Sequence, residues 1–294
     1  MHKSGVIAVV GCPNVGKSTL VNVFLGQKIA IISSKPQTTR EAQRGILTSD
    51  DVQAIFVDTP GIHRPHHLLD RNMLATARGV VQEADVVLWI VDVSRKPGTD
   101  ERRVAQFIQQ TNESCKVFIA MNKCDLLKPQ DVISHSTMYR TLCPEALWML
   151  VSAKRGDNVE IIKNEILDLL PIGPRYYDDN VITDKTVREL SGELLRESAL
   201  HYLRHEIPHG IAVLIDEFIE DEGDKIEIMA TLVVENSRHK GIVIGRNGNM
   251  IKLIGTRARR EIEKMLEQAV DLQTFVKVQE DWRNDNYQLK HMGY

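Results

Sequence analysis

The chain has 294 residues, of which 43% are apolar and 26% charged, with a net charge of −3 and four cysteines. This composition is typical of a globular protein with two domains and excludes a low-complexity or disulfide-stapled chain. No apolar run approaches the ~18 residues of a membrane span, and the N-terminal apolar run is too short for a secretory signal. We therefore expect a cytoplasmic protein with reduced thiols, and peripheral contact with the inner face of the cell membrane stays open.

Strand-like and helix-like segments alternate up to residue 170, which predicts a doubly wound α/β domain. The first strand is predicted at 6–10, and a polar stretch without periodicity at 29–40 predicts a functional loop. Two strands at 45–48 and 52–57 flank a short turn and predict a hairpin. The other strands are predicted at 86–91, 117–121 and 147–151, and helices at 68–83, 100–111, 130–141 and 158–170.

Two prolines around a glycine at 170–174 end the alternating pattern, because proline and glycine interrupt regular structure. We therefore predict a first domain at 1–171, a linker at 172–185 and a second domain at 186–294. The second domain has the predicted order α-β-β-α-α-β, which is an α+β fold. Its helices are predicted at 186–206, 238–244 and 249–268, and its strands at 211–219, 226–234 and 272–278.

The octapeptide G-C-P-N-V-G-K-S at 11–18 matches the phosphate-binding pattern G-x-x-x-x-G-K-[ST] between a predicted strand and a predicted helix. Glycines let backbone N–H groups surround phosphates, and the helix N-terminus adds partial positive charge. We expect Lys17 to reach the β- and γ-phosphates and the Ser18 hydroxyl to bind Mg²⁺. A chance match in an ordinary β-turn-α unit is the alternative. The other residues of this predicted phosphate site are Gly11, Asn14, Val15, Gly16 and Thr19.

Three further motifs follow predicted strands, so the sheet brings them to one edge. In D-T-P-G at 58–61, we expect Asp58 to hold the Mg²⁺ shell and the Gly61 N–H to face the γ-phosphate. In N-K-C-D at 122–125, the Asp125 carboxylate accepts the paired donors of guanine, which adenine lacks. A helix cap after a strand is the alternative for this motif. The remaining base-site residues are Asn122 and Lys123 as braces, and Ser152, Ala153 and Lys154 near guanine O6.

These motifs, together with P-Q-T-T-R at 36–40, resemble translation-factor-type small GTPases in type and order. The resemblance implies that Thr39, with Thr38 as the alternative, meets Mg²⁺ and the γ-phosphate, and that Lys17 and Gly61 complete the catalytic set. Ile62 stands where Ras-like enzymes carry a glutamine that orients water, which implies slow intrinsic hydrolysis. In several relatives the asparagine corresponding to Asn14 helps to hold K⁺, so Asn14 is the candidate K⁺ ligand.

The second domain contains a basic segment, 238–264, with eight Lys or Arg and two Glu, a local charge of +6. Within it, G-R-N-G at 245–248 lies between two predicted helices and resembles the loop with which a KH domain clamps about four nucleotides. Ile242, Ile244 and Ile251 could line an apolar floor for bases or could be core. A structural α+β domain with a basic surface is the alternative. The predicted RNA-binding residues are His239, Lys240, Gly245, Arg246, Asn247, Gly248, Lys252 and Arg259.

A GTPase domain followed by a KH-like domain resembles the Era family of bacterial GTPases over nearly the whole chain. The stretches P-N-V-G-K-S-T-L, D-T-P-G-I-H and the ending at 281–294 carry the same resemblance. It implies a GTP-dependent factor for small-ribosomal-subunit assembly and rRNA maturation that binds the 3′ end of small-subunit ribosomal RNA. We expect a monomer. The alternative is a GTPase of RNA modification or membrane-associated signalling whose C-terminal domain serves only protein interaction.

Overall fold

The computed structural model describes residues 2–31, 35, 38–112, 115–220 and 225–294. The described chain divides into two compact units, with the main change between Asp184 and Lys185. Parts of the predicted loop at 29–40, namely 32–34 and 36–37, lie outside the described residues, as do residues 221–224 between the strands predicted at 211–219 and 226–234. Within the described ranges, no helix combines the length and apolar character that crossing a membrane requires.

The first unit is built on a six-stranded sheet with the order β2-β3-β1-β4-β5-β6. The strands β2 and β3 pair antiparallel as the predicted hairpin, and the other pairings are parallel. The strands are β1 (Lys3–Val10), β2 (Gln43–Thr48), β3 (Val52–Asp58), β4 (Val86–Asp92), β5 (Lys116–Asn122) and β6 (Leu147–Leu150). The helices are α1 (Lys17–Leu25), α2 (Leu68–Glu83), α3 (Thr99–Thr111), α4 (Val132–Arg140) and α5 (Val159–Asp168). The predicted α/β fold is confirmed.

The central strands of this sheet are continuous apolar runs because both faces of the sheet are covered. Every residue of β4 is buried, and the last four residues of β1 are fully buried. Parallel sheets with helices on both faces need such strands. The chain leaves β1, β3, β5 and β6 at their carboxyl ends, so the segments that follow these strands meet at one edge of the sheet.

Residues 175–184 are hydrogen-bonded to the first unit. The side chain of Gln53 on β3 accepts from the backbone N–H groups of Tyr176 and Tyr177, at 2.7 and 3.0 Å, and donates to the Tyr177 carbonyl at 2.8 Å. The Ile46 N–H on β2 donates to the Ile182 carbonyl at 2.9 Å. Most of the segment predicted as a linker is thus fixed to the first unit, and its boundaries at 172–185 stay a prediction.

The second unit packs helices against a three-stranded sheet with the order β7-β8-β9. Strand β7 is antiparallel to β8, and β8 is parallel to β9. The core includes Leu194, Ile228, Ile262 and Val270. The order α-β-β-α-α-β is confirmed, and a short helix that was not predicted follows it. The elements are α6 (Val187–Tyr202), β7 (Ala212–Glu220), β8 (Lys225–Val234), α7 (Ser237–Ile244), α8 (Asn249–Leu266), β9 (Ala269–Val278) and α9 (Asn286–His291).

Candidate functional site

The loop between β1 and α1 requires glycine at two positions. Gly11 and Gly16 have φ angles of +153° and +101°, which side chains rarely adopt. A Cβ atom on Gly11 would lie 2.3 Å from the Ile90 carbonyl oxygen, and one on Gly16 would lie 2.3 Å from Asn122 Nδ2. The backbone of the loop therefore carries no side chain at Gly11 and Gly16, where phosphates are predicted to bind.

The Lys17 side chain folds back into this loop. Its ammonium donates to the carbonyls of Gly11 and Cys12, at 3.3 and 3.1 Å. Burial lowers the pKa of Lys17, and the nearby Asp58 carboxylate opposes that shift. A buried cation whose hydrogen bonds within the described chain go to neutral carbonyls gains from an anion within the loop, which is what a phosphate would supply.

Three oxygen-bearing side chains meet beside the loop. Ser18 Oγ and Thr39 Oγ1 both donate to Asp58 Oδ2, at 2.6 and 3.1 Å, and lie 3.1 Å from each other. Asp58 is fully buried, and burial raises its pKa against the opposing charge of Lys17. Its second oxygen, Oδ1, has no hydrogen-bond donor among the described residues. A buried, incompletely satisfied carboxylate with two hydroxyls is a hard-oxygen donor set, and it fits Mg²⁺.

The segment after β3 packs on the phosphate loop. A Cβ atom on Gly61 would come within 3.0 Å of three Pro13 atoms, so the backbone here approaches the loop closely. The Ile62 N–H donates to the Gly11 carbonyl at 3.1 Å, and the Ile62 side chain is buried. The predicted γ-phosphate segment and the phosphate loop therefore lie side by side.

Sequence reasoning missed His63, which fixes the same segment. Its Nδ1 is 2.8 Å from the Gly61 carbonyl oxygen, and its Nε2 is 3.4 Å from Asp70 Oδ1. The other Asp70 oxygen accepts from the His66 N–H at 2.8 Å. The hydrogen bond to Asp70 raises the pKa of His63 and outweighs its partial burial. His63 ends the D-T-P-G-I-H stretch, but nothing in that stretch indicates that Asp70, seven residues later, is its partner.

Asn122 bridges the phosphate loop and the segment after β6. Its Nδ2 donates to the Val15 carbonyl at 2.8 Å, and its Oδ1 accepts from the Ala153 N–H at 3.0 Å. The side chain is buried. One amide thus uses its donor and its acceptor to hold two of the predicted nucleotide segments together.

Lys123 makes a second connection, and its partner Asp92 was also missed. Lys123 Nζ donates to the Asn14 carbonyl and to Asp92 Oδ2, both at 2.7 Å. Burial raises the pKa of Asp92, but hydrogen bonds from Lys123, Ser94 and Arg95 outweigh burial and hold that pKa below its usual value. Asp92 is the last residue of β4 and lies at the same sheet edge. In the sequence, only this position at a strand end indicated that Asp92 belongs to the site.

Asp125 stands next to the segment after β6. Ser152 Oγ donates to Asp125 Oδ1 at 2.7 Å and also accepts from the Arg155 N–H at 3.2 Å. Lys154 is exposed. The predicted base-recognition residues are therefore neighbours, with a carboxylate oriented by a hydroxyl.

In the second unit, the G-R-N-G loop also depends on glycine. Gly245 and Gly248 have φ angles of +73° and +75°. A Cβ atom on Gly245 would lie 2.6 Å from Met250 Cβ and 2.9 Å from its backbone nitrogen. Arg246 and Asn247 are exposed between the two glycines. The loop presents one cation and one amide on a tight turn at the start of α8.

The other predicted RNA-binding residues differ in exposure. Lys252 and Arg259 are exposed on α8, and Lys240 is partly buried on α7. His239 is buried, with a relative exposure of 8%, so its side chain is not presented with the loop. Arg259 lies 3.6 Å from Glu263 on the next turn of α8.

The three isoleucines around the loop also differ in how exposed they are. Ile242 is 43% exposed, while Ile244 and Ile251 are partly buried. Of the two alternatives given by the sequence, plain core is therefore wrong for Ile242, because its side chain faces solvent. The Ile242 side chain is therefore exposed apolar surface on the helix that precedes the glycine-framed loop.

Two protein families match the chain. Residues 6–123 match the family described as 50S ribosome-binding GTPase, and residues 206–283 match the KH domain family. The GTPase Era of Ruminiclostridium cellulolyticum is 41% identical over 293 residues, which is 100% of this chain and 98% of that protein. The phosphate loop, the base segments and the glycine-framed loop define a P-loop GTPase joined to a KH domain.

Two solved structures share this arrangement. Era in complex with MgGDPNP and nucleotides 1506–1542 of 16S ribosomal RNA has a TM-score of 0.96 and 35% identity, covering 100% of this chain and 99% of that one. A substituted Aquifex aeolicus Era bound to GDP.AlF4- has a TM-score of 0.94 and 35% identity, covering 99% of each chain. The chain belongs to the Era family of GTPases. It hydrolyses GTP, with Mg²⁺ as cofactor.

Proposed function

We propose that this GTPase is a molecular switch that binds single-stranded RNA at the 3′ end of small-subunit ribosomal RNA and assists subunit assembly and rRNA maturation. The observation that carries the proposal is the exposed Arg246-Asn247 pair between two glycines with positive φ angles, of which Gly245 has no room for a side chain. Small residues let an RNA backbone approach, and the cation supplies charge for phosphate. A relative of the same fold over its full length was crystallised with 16S ribosomal RNA nucleotides.

At the nucleotide site, Lys17 would exchange its two carbonyl partners for the β- and γ-phosphate oxygens. Ser18, Thr39 and the buried Asp58 carboxylate would hold Mg²⁺, which would supply positive charge beside the phosphates. The close packing of the Gly61 segment on the phosphate loop supports an N–H contact from Gly61 to the γ-phosphate.

At the base site, Asp125 accepts the two donors of guanine, and Ser152 holds the carboxylate in place. The Ala153 N–H is held by Asn122 Oδ1, and this fixed backbone supports a contact between the 152–154 segment and guanine O6. A carboxylate paired with two donors is a charge-assisted contact, which selects guanine over adenine.

Hydrolysis proceeds without a polar side chain at Ile62. Water must then be positioned by backbone groups, by the loop that carries Thr39, by an ion or by a partner. The resemblance to relatives in which the corresponding asparagine helps to hold K⁺ makes Asn14, an exposed residue of the phosphate loop, the proposed ligand of a K⁺ ion near the phosphates. A site with no side-chain group to orient water gives a slow intrinsic rate.

The switch itself is a change in how two segments are held. GTP and Mg²⁺ would hold Thr39 and the segment after Asp58, and hydrolysis would release both. The rest of the predicted loop that lies outside the described residues is not part of this argument. If the chain binds RNA more tightly in one nucleotide state, bound RNA stabilises that nucleotide state by the same free energy. In this proposal the chain acts as a cytoplasmic monomer on the small subunit, with any membrane contact peripheral and at the inner face.

Crosslinking in cells followed by sequencing of the bound RNA tests the proposal. The wild-type chain should crosslink to the 3′ end of small-subunit rRNA, and the variant Arg246→Asp with Asn247→Asp should lose those crosslinks. Asn286→Asp with Lys290→Asp is a matched control, because it makes the same charge change on exposed residues of α9. Crosslinks that are equal in all three chains, or that avoid this RNA, contradict the proposal.

A further inference from the structure

The segment that leads from α1 towards Thr39 is fixed near its start by one side chain. Asn22 of α1 donates from Nδ2 to the Ala30 carbonyl at 2.7 Å. Its Oδ1 accepts from the backbone N–H groups of Ile29 and Ala30, both at 2.9 Å. A single amide therefore pairs three backbone groups of two consecutive residues. No role for Asn22 follows from the nucleotide motifs, which end at Thr19 on this helix.

These hydrogen bonds are buried. Asn22 is 8% exposed and residues 29–31 are buried, whereas residues 27 and 28 are exposed. Apolar burial is non-directional, so burial alone does not determine which residue is held at which point. Hydrogen bonds are directional, and losing one here would leave a buried backbone group unpaired. Asn22 therefore determines the point at which the chain after α1 is fixed.

The far end of the same segment is held beside the same helix. Thr39 Oγ1 lies 3.1 Å from Ser18 Oγ and donates to Asp58 Oδ2 at 3.1 Å. Ser18 and Asn22 are four residues apart on α1, so they lie on one face of the helix, about 6 Å apart along its axis. Residues 30 and 39 are thus both attached beside one face of α1.

The two attachments depend on different things. The contact of Thr39 belongs to the proposed Mg²⁺ site, so it is made with GTP and released after hydrolysis. The hydrogen bonds of Asn22 join groups of the protein alone, outside the phosphate and base motifs. They therefore persist in both nucleotide states, and the chain that must bring Thr39 back to the site starts at residue 31.

We propose that Asn22 is a positioning residue for the nucleotide site, which favours the contact of Thr39 and thereby favours GTP over GDP. The inference rests on the proposed role of Thr39 as a Mg²⁺ ligand. With Asn22, eight residues (31–38) separate Thr39 from the last fixed residue, and without it twelve (27–38) follow the cap of α1 at Gly26. Because the cost of closing a loop grows as (3/2)RT ln n, the shorter chain favours the Thr39 contact about twofold.

Asn22→Ala in the full chain tests the inference, with Asn164→Ala at an exposed position of α5 as the matched control. Calorimetric titration measures the affinities for GDP and for the non-hydrolysable analogue GDPNP in Mg²⁺. Asn22→Ala should weaken GDPNP binding by at least about twofold and leave GDP binding unchanged, which also shows that the site is folded. Asn22→Ser keeps a hydroxyl that pairs one of the backbone groups, so its effect should be smaller. In EDTA, the ratio of the two affinities should be the same in variant and wild type, because no Mg²⁺ is present for Thr39.

A double-mutant cycle with Thr39→Ala shows whether Asn22 acts through Thr39. In the Thr39→Ala background, Asn22→Ala should cause no further loss of GDPNP affinity, so the two effects are not additive. Additive losses, or equal losses of GDP and GDPNP affinity, would reduce Asn22 to a structural role and overturn the inference.

The remaining outcomes separate this inference from the proposed function. If Asn22→Ala behaves like the Asn164→Ala control while Thr39→Ala weakens GDPNP binding, Asn22 does not position Thr39 and the proposed Mg²⁺ role of Thr39 stands. If Thr39→Ala binds GDPNP in Mg²⁺ as tightly as the wild type, the proposed role of Thr39 itself fails.

Discussion

Asn122 donates to the Val15 carbonyl at 2.8 Å and accepts from the Ala153 N–H at 3.0 Å. A side chain at the end of β5 therefore holds both the phosphate loop and the segment after β6. Gly16 is close enough to the same amide that a Cβ atom there would lie 2.3 Å from Asn122 Nδ2. The base-recognition motif and the phosphate motif are thus one packed unit, although they are far apart in sequence.

Asn122→Ala should weaken GTP binding without changing base preference. The substitution leaves a buried carbonyl and a buried N–H unpaired, which costs about 2–4 kcal/mol. Calorimetric titration with GTP and with xanthosine triphosphate should show both affinities falling by the same factor. Asn286→Ala on α9 is the control. A selective loss of GTP alone would mean that Asn122 contacts the base rather than bracing the loops.

Asp125→Asn should change base preference instead. The amide presents a donor where guanine also has donors, whereas xanthine has a carbonyl at position 2 and gains a partner. Loss of a charge-assisted pair should reduce GTP affinity by about 2–4 kcal/mol. Competition of the two triphosphates for the variant measures the switch, and Asp51→Asn, an exposed site in the β2–β3 turn, is the control. Equal GTP affinity in variant and wild type would exclude Asp125 from base recognition.

The contact between His63 and Asp70 should make the segment after β3 sensitive to pH. Because the pKa of His63 is raised, protonated His63 stabilises the folded state below the unfolded histidine pKa of about 6.5. That stabilisation is lost as pH rises through the folded pKa. An NMR titration should find a higher His63 pKa in the wild type than in Asp70→Asn, which keeps an acceptor for the His66 N–H. Identical His63 pKa values in the two chains would show that Asp70 does not raise the pKa of His63.

Potassium should accelerate hydrolysis through Asn14. The wild type should turn over GTP faster in K⁺ than in Na⁺ at equal ionic strength, and Asn14→Ala should remove the difference while GTP affinity changes little. Asn14→Asp should keep part of the stimulation, because a carboxylate also supplies an oxygen ligand. If the wild type turns over equally fast in both salts, Asn14 does not hold a cation in catalysis.

The sequence predicted the elements of both units because each is a local pattern. Apolar runs and 3.6-residue periods determine where strands and helices form, and strand ends bring the four nucleotide motifs to one edge. The pairs Asp92–Lys123 and His63–Asp70 were not predicted, since each joins residues that share no motif. The sequence left open which unit 175–184 packs on, because that attachment depends on one buried glutamine, Gln53, rather than on any period.

The division of the basic residues of α8 between two sides of the helix could not be predicted from the sequence, for a different reason. Ile254, Ala258 and Ile262 recur at four-residue intervals and are buried, which distinguishes their face of the helix from its basic face. This spacing could not show that the basic face divides into residues near the glycine-framed loop and residues beside Tyr202. That division depends on how α6 packs against α8, which is a tertiary contact.

Salt-dependent binding of the rRNA 3′ end tests the central claim most directly. The wild type should bind this single-stranded RNA with a slope of log K against log salt near −0.7 for each of the few phosphates neutralised. Arg246→Asp with Asn247→Asp should bind it more weakly and with a shallower slope, while its GTP affinity matches that of the wild type. If the double variant binds this RNA as tightly as the wild type with an unchanged slope, Gly245–Gly248 is only a turn, and the account of an RNA-binding GTPase is contradicted.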